Sequence, residues 1–395
     1  MDPFTLETLD TTAFGEGAVA TLPQRLREHA RRAFIVTDAG VRSAGVLDSV
    51  TDALIADDLE HAIFDDVDPN PSDTNVAAGV AALRSFGMEG TAIVLVGGGS
   101  VMDCGKYVAM AAPSGIDDLS LAFSPELATN DRIDFATLAP PARTSASCVP
   151  TLAVPTTSGT ASETNGGGLI TRSADHRKLT FSHPEVKPRA IVLDPLLTLG
   201  LPPGATAACG MDVLTHALEA YTSTAANPYA DGLALHAIRL TGEWLPKAVA
   251  DGRDVEARAS MQIASHLAGR SFSSGPLLGL VHAMGHPVSG TYGVAHGQTL
   301  ATMLPHVMRF NREVVADRYA DIGLALGTAR DVDAAIESIE KLSAAVGTDR
   351  RLRDLGATEA GLDQLTTDAL RDMIILNTPR YPDRAEVRSL YADAF

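Results

Sequence analysis

The sequence predicts an α/β domain followed by an all-helical domain. Three observations carry that reading. Short apolar runs of strand length alternate with helical stretches through the first half, the texture changes near Pro202, and long Ala/Leu-rich helical patterns follow. A chain of 395 residues is too long for one ordinary core and comfortable for two, which places the domains at 1–200 and 201–395.

The first strand is expected at Arg32–Thr37, an apolar run that ends in Asp38-Ala39-Gly40. Residues 74–86 carry apolar positions at helical spacing. Thr91–Val96 is a second buried-strand run, closed by Gly97-Gly98-Gly99-Ser100 and a helix reaching Met110. Ala190–Leu193 is a further strand before Asp194-Pro195. Between them, residues 113–150 are rich in Ser, Thr and Pro and form a long excursion within the first domain. Strands alternating with helices imply a largely parallel sheet. Beyond Pro202, helices are expected over 206–223, 229–250, 254–270 and 331–346, with few β-branched runs between them. No internal repeat and no low-complexity tail is visible.

Composition narrows the functional classes. Hydrophobic residues make up 45% and charged residues 20%, the balance of a globular protein. A net charge of −18 argues against nucleic acid, whose binding needs clustered Lys and Arg. No apolar run approaches the roughly 18–20 residues that span a bilayer, and the first residues show no basic and apolar secretory pattern. Three cysteines, Cys104, Cys148 and Cys209, show no metal or redox spacing and read as reduced thiols of a cytoplasmic protein.

The strand ending in Gly97-Gly98-Gly99-Ser100, followed by a helix containing Asp103 and Lys106, suits a pyrophosphate. Glycines admit the anion close to the backbone, and the helix N-terminus offers free N–H groups. A tight strand-to-helix turn would look the same. A second loop, Pro155-Thr156-Thr157-Ser158-Gly159-Thr160-Ala161-Ser162-Glu163, follows the apolar run Leu152-Ala153-Val154 and offers hydroxyls for ribose and phosphate, or for capping a helix. Two such loops in one α/β domain favour a dinucleotide, hence a Rossmann-like domain.

Asp212 and His216 lie four apart in a helical stretch, so both leave one face. His282 and His286 are again four apart and His296 follows, three of the eleven histidines within 15 residues. Imidazole with carboxylate suits a first-row divalent metal. His236, His266 and His306 read as satisfied core residues.

These motifs resemble the iron-containing, or group III, alcohol dehydrogenases, the family of lactaldehyde reductase and 1,3-propanediol dehydrogenase. The resemblance spans nearly the whole chain. It rests on Gly97–Ser100 with Asp103, Pro155–Thr160, Asp194-Pro195, Gly210 through Glu219, and His282 through His306. It implies an oxidoreductase that moves a hydride between NAD(H) and a small alcohol or aldehyde. It also implies one divalent ion, Fe²⁺ in most relatives and Zn²⁺ or another ion in some, held by Asp212, His216, His282 and His296. His286 matches a non-ligand histidine between substrate and nicotinamide. Gly97, Gly98, Gly99, Ser100 and Asp103 match the pyrophosphate turn, and Thr156, Thr157 and Thr160 the nicotinamide ribose and phosphates. Lys178 matches a ribose contact, Asn70 an asparagine near the nicotinamide, and Asp38 the acid that favours NAD over NADP. The family further implies a homodimer or larger assembly.

The chain departs from its relatives near the expected substrate. Gly166-Gly167-Gly168 stands where larger pocket residues occur, and the segment holding Ser273, Ser274 and Gly275 is one residue longer. Gly167, Ser273 and Ser274 are therefore expected to line a roomy pocket whose amide and hydroxyl donors suit a polar or anionic tail. Alternatively the glycines only let strands pack closely. Three rival functions share parts of this pattern: a metal-free maleylacetate-reductase-like enzyme, a dehydroquinate-synthase-like lyase, and a non-catalytic NAD-binding protein. The four intact ligand positions count against the first, the ligand context matches the dehydrogenases better than the second, and the third would not need the metal set.

Overall fold

A computed structural model describes residues 10–137, 147–175 and 177–395. Six parallel strands form the main sheet: β1 (Thr11–Phe14), β2 (Arg32–Val36), β3 (Glu60–Phe64), β4 (Thr91–Gly97), β5 (Thr151–Pro155) and β8 (Ala190–Leu193), in the order β1-β8-β5-β4-β2-β3. The helices of this half are α1 (Leu22–Arg27), α2 (Ala39–Ser43), α3 (Val46–Ala56), α4 (Asp73–Phe86) and α5 (Gly99–Ser114). Strand β4 shows why the sheet lies inside. It is apolar and buried along its length, with Ile93 and Leu95 entering one core and Ala92, Val94 and Val96 the other.

The chain runs from β2 outward to β3, then returns to the other side of β2 for β4. The gap outside the carboxyl ends of β2 and β4 is thus a topological switch point, where open α/β sheets bind ligands. Asp38 follows β2 and the glycine turn follows β4, so the fold brings both to that gap.

Two strands stand apart from the main sheet. β6 (Gly167–Thr171) and β7 (Lys178–Ser182) pair antiparallel, and Phe123 from the Ser/Thr/Pro-rich excursion bridges to Thr180. The part of that excursion at residues 138–146 lies outside the described residues.

From Pro203 onward the described chain is helical: α6 (Pro203–Thr222), α7 (Pro228–Ala250), α8 (Val255–Ser273), α9 (Leu280–Tyr292), α10 (His296–Asn311), α11 (Ala316–Ala325), α12 (Val332–Val346), α13 (Leu362–Arg371) and α14 (Arg384–Asp393). One continuous apolar core unites them, with α6 buried along most of its length. Side chains tie the two halves together. Arg384 donates to both carboxylate oxygens of Asp131 at 2.7 and 3.0 Å, Arg371 reaches Glu126 at 2.8 Å, and Arg270 pairs with Asp10.

Candidate active site

Helix α6 carries Asp212 and His216 on one face, α9 carries His282 and His286, and His296 opens α10. One donor atom each from Asp212, His282 and His296 lies within 4.8 Å of the others, while His216 stands beside Asp212 and stacks on His282, and His286 stacks on His296. The Nε2 atoms of His216, His282 and His296 lie 3.3, 3.5 and 3.8 Å from Asp212 Oδ1. Donors bonded to one ion at about 2.0–2.1 Å in a tetrahedron stand about 3.4 Å apart, so these spacings suit a shared divalent ion. Asp212 is 2% exposed, yet among the described residues its Oδ1 has no hydrogen-bond partner; neither has Nε2 of His282. Buried polar atoms are rarely left so, and a cation is the partner this donor set lacks.

Electrostatics in the metal-free protein point the same way. Burial alone would raise the Asp212 carboxyl, but the surrounding imidazoles hold it below the usual carboxylate range. Burial pushes His216 down to about 4 and His296 well below the usual imidazole value, against the pull of Asp212. Neutral imidazoles beside an ionised carboxylate are what coordination requires. His282 differs: burial is outweighed by Glu219 and Asp212, and its value rises to about 9.

Two carboxylates that the sequence reading did not single out orient this set. Glu219 Oε2 lies 2.5 Å from His282 Nδ1, and its Oε1 accepts the Val281 N–H at 2.6 Å. That fixes the tautomer that leaves His282 Nε2 facing Asp212, the usual support of a ligating histidine. Asp372 Oδ2 lies 2.5 Å from His286 Nδ1, while its Oδ1 caps the turn at Ile374. Burial would raise the Asp372 carboxyl, but His286 beside it holds it down. The His286 ring stacks on His296 with centroids 5.1 Å apart. Glu219 was legible as the next turn after Asp212 and His216. Asp372 is 86 residues from its partner and had no local signal.

The residues expected at the cofactor form a second group. Gly98 starts α5 without a side chain to cap its first-turn N–H groups. A Cβ at Gly99 would come within 2.6 Å of Thr160, and one at Gly98 within 3.2 Å of Thr157, so the two glycine-containing loops are packed together. Thr156 donates its N–H to the Gly97 carbonyl, and Ser100 Oγ donates to the Pro69 carbonyl, drawing Asn70 to the same turn. Asp38 caps α2 through Val41 N–H at 2.9 Å, and nearby Arg42 is engaged by Asp65. Lys178 is lowered by burial, with Asp103 and Asp372 acting against it, which places it between the two groups.

Several expectations need revision. Asp103 is not free for a phosphate: its oxygens accept from Ser162 Oγ at 2.8 Å and Leu169 N–H at 2.9 Å. Fully buried Lys106 does comparable work, donating to Ser162 and to the Asn165 and Gly167 carbonyls, with burial lowering it to about 8. Two glycines of the triplet, Gly166 and Gly168, serve close packing. A Cβ at Gly166 would meet the His183 carbonyl at 2.3 Å, and one at Gly168 the Phe181 ring at 2.7 Å. Gly167 N–H is taken by Asn165 Oδ1, Ser273 Oγ by Thr164, and Ser274 Oγ by the Arg270 carbonyl. His236 is exposed rather than in the core, whereas His266 is half-buried and meets Glu163 at 3.3 Å.

Beside His216 the wall is apolar. Phe272 lies 5.0 Å from the His216 ring and clusters with Ala161, Ala220 and Leu278, with Ile374 packed against them.

Comparison with known proteins gives a consistent answer. The profile described as "Iron-containing alcohol dehydrogenase" matches residues 10–195, and that described as "Fe-containing alcohol dehydrogenase family, C-terminal" matches residues 206–395. The 1,3-propanediol dehydrogenase of Klebsiella pneumoniae is 38% identical over 97% of this chain and 96% of its own. A crystal structure of 1,3-propanediol oxidoreductase superimposes with a TM-score of 0.89 at 37% identity, covering both chains fully. The sulfoacetaldehyde reductase of Bifidobacterium kashiwanohense in complex with NAD⁺ gives 0.84 at 27% identity, covering 100% of this chain and 99% of that one.

Proposed function

Because the chain belongs to the iron-containing alcohol dehydrogenases and is an NAD-dependent, metal-dependent alcohol/aldehyde oxidoreductase, we propose that its ligands are Asp212, His216, His282 and His296. Their convergence on one buried carboxylate oxygen that has no hydrogen-bond partner among the described residues is the observation that carries this reading. When bound, the ion, which we take as Fe²⁺, supplies Lewis-acid polarisation of a substrate oxygen, and the nicotinamide supplies the hydride chemistry.

The chain's own groups do the rest. Glu219 keeps His282 in the coordinating tautomer. Asp372 pins His286 by Nδ1, which leaves Nε2 to give or take the proton of the alcohol. Gly97, Gly98, Gly99, Ser100, Thr156, Thr157 and Thr160 hold the dinucleotide phosphates and ribose at the switch point, flanked by Asn70 and Lys178, while Asp38 selects the unphosphorylated ribose. Asp103 and Lys106 position the loop rather than touch the cofactor. The same reading keeps domain limits of 1–200 and 201–395, supported by the end of the last strand at Leu193 and the start of α6 at Pro203. Cytoplasmic homo-oligomers are the form in which we expect the enzyme to work, a reading supported by its three free cysteines and its family.

For substrate, the Phe272–Leu278 wall favours a short, uncharged carbon chain, since the donors that an anionic tail needs are engaged elsewhere. The experiment is steady-state reduction by NADH of two- to four-carbon aldehydes against the same chains bearing a terminal carboxylate or sulfonate, with Fe²⁺- or Zn²⁺-loaded protein beside His282→Ala. The plain aldehydes should have the higher kcat/KM, and His282→Ala should lose metal and turnover together. A tenfold preference for the charged analogues, about 1.4 kcal/mol, would return the anionic pocket. Full metal loading with normal turnover in His282→Ala would overturn the ligand set.

A further inference from the structure

The cysteines show no metal spacing along the chain, but the fold gathers one of them into a second mixed cluster. Cys148 lies three residues ahead of β5, and His183 and Glu185 flank Pro184 in the short turn between β7 and β8. One donor atom from each residue lies within 4.8 Å of the others. Cys148 Sγ is 3.5 Å from His183 Nδ1, and Glu185 Oε2 accepts the Cys148 N–H at 2.8 Å. The cysteine is buried and its two partners are half-buried. This is the amino end of β5, whereas Pro155 at its carboxyl end pairs with Gly97 at the glycine turn, so the cluster sits at the opposite edge of the sheet from the cofactor cleft.

We propose that Cys148, His183 and Glu185 form a second metal site, one that takes zinc, with water completing the coordination. A thiolate sulfur at about 2.3 Å and an imidazole nitrogen at about 2.0–2.1 Å from a tetrahedral zinc stand about 3.6 Å apart, and the observed separation matches. Thiolate and carboxylate together neutralise the dication, and the thiol proton leaves to solvent on binding. The ion takes the Nδ1 lone pair that now accepts the Glu185 N–H at 3.3 Å, a long bond that gives up little.

The surrounding backbone is already fixed. Thr151 Oγ1 donates to the Val186 carbonyl at 3.0 Å, and the Arg189 N–H donates to the Thr151 carbonyl at 2.8 Å. The ion would therefore staple the start of β5 to the turn before β8 and close the segment that carries β6 and β7. Its ligand chemistry separates it from the first site. The cluster at Asp212 offers nitrogen and oxygen only, while a thiolate favours the softer ion.

Cobalt(II) reads that difference directly, because a thiolate ligand produces a near-ultraviolet charge-transfer band that a nitrogen/oxygen site lacks. Chelator-stripped full-length protein reloaded with Co²⁺ should bind two ions per chain and show the band, and one equivalent of Zn²⁺ should abolish it. Cys148→Ser should lose the band and one ion while keeping wild-type turnover. Asp212→Asn should lose the other ion and the activity while keeping the band, so failure of the catalytic ligand set and failure of this proposal are distinguishable. If Cys148→Ser does not fold, His183→Asn serves in its place, with the same loss expected. One ion per chain without the band, a band that survives Cys148→Ser, or a band that forms only in large cobalt excess would each overturn the proposal.

Discussion

Replacing Glu219 by Gln removes one charge and almost no volume at the point where the proposed metal ligands are oriented. Glu219 is 5% exposed and accepts twice, from His282 Nδ1–H at 2.5 Å and from Val281 N–H at 2.6 Å. A glutamine has one acceptor and one NH₂, so it cannot satisfy both. If its carbonyl serves His282, the NH₂ faces the Val281 N–H, and an unmet buried backbone donor costs about 1–3 kcal/mol of stability. If instead its carbonyl serves Val281, His282 must shift its proton to Nε2, the atom that coordinates. Loss of such an outer carboxylate weakens metal affinity by roughly 10–100-fold, or about 1.4–2.7 kcal/mol.

The variant also carries a pH signature. In the metal-free protein His282 titrates at about 9, above its unfolded value, because Glu219 and Asp212 outweigh burial. That contribution to stability is complete below about pH 6.5 and is lost as pH rises through about 9. Metal-free Glu219→Gln should therefore show a flatter stability curve across that window. Metal affinity of the wild type should rise over the same range, as protons leave His282. The assays are metal dissociation by competition with a chromophoric chelator, and denaturant unfolding of stripped protein between pH 6 and 9.5. A metal Kd within twofold of wild type, with parallel pH curves, would refute the orienting role of Glu219.

Three further outcomes follow from the same geometry. Asp372→Asn should leave metal content intact, lower kcat by up to the roughly 10²–10⁴-fold that positioned proton transfer contributes, and shift the pH–rate profile; an unchanged profile would leave Asp372 a simple turn cap. Asp38→Asn keeps a side-chain oxygen for Val41 N–H and should raise NADP use relative to NAD with little loss of stability. Asp38→Gly should add a cap penalty of a few tenths of a kcal/mol, measured by thermal unfolding beside kcat/KM for both cofactors. Gly168→Ala drives a methyl to within 2.7 Å of the Phe181 ring and should cost about 1–3 kcal/mol by denaturant titration, whereas a Gly167→Ala methyl meets nothing closer than 3.4 Å and should be much milder.

What could be read in advance was whatever the chain encodes locally. The apolar run Thr91–Val96 with its glycines, and the pairs Asp212/His216 and His282/His286, carry their geometry in their own spacing, and the folded chain keeps it. The misreadings arise where a residue's role is set by a neighbour distant in sequence. Gly166-Gly167-Gly168 looks like an emptied pocket until the His183 carbonyl and the Phe181 ring are seen to occupy the space that side chains at Gly166 and Gly168 would need. Asp103 looks like a phosphate-loop acid, but its charge is spent on Ser162 and Leu169, about sixty residues away. The same logic explains Asp372 and Glu219. Each uses one carboxylate oxygen for the backbone of a turn or helix start and the other for a histidine, so a structural contact and an orienting contact share one side chain. Substituting such a residue disturbs local structure and histidine orientation together. This is why the decisive measurements here are tautomer-dependent ones, metal affinity and pH profile, rather than loss of activity alone.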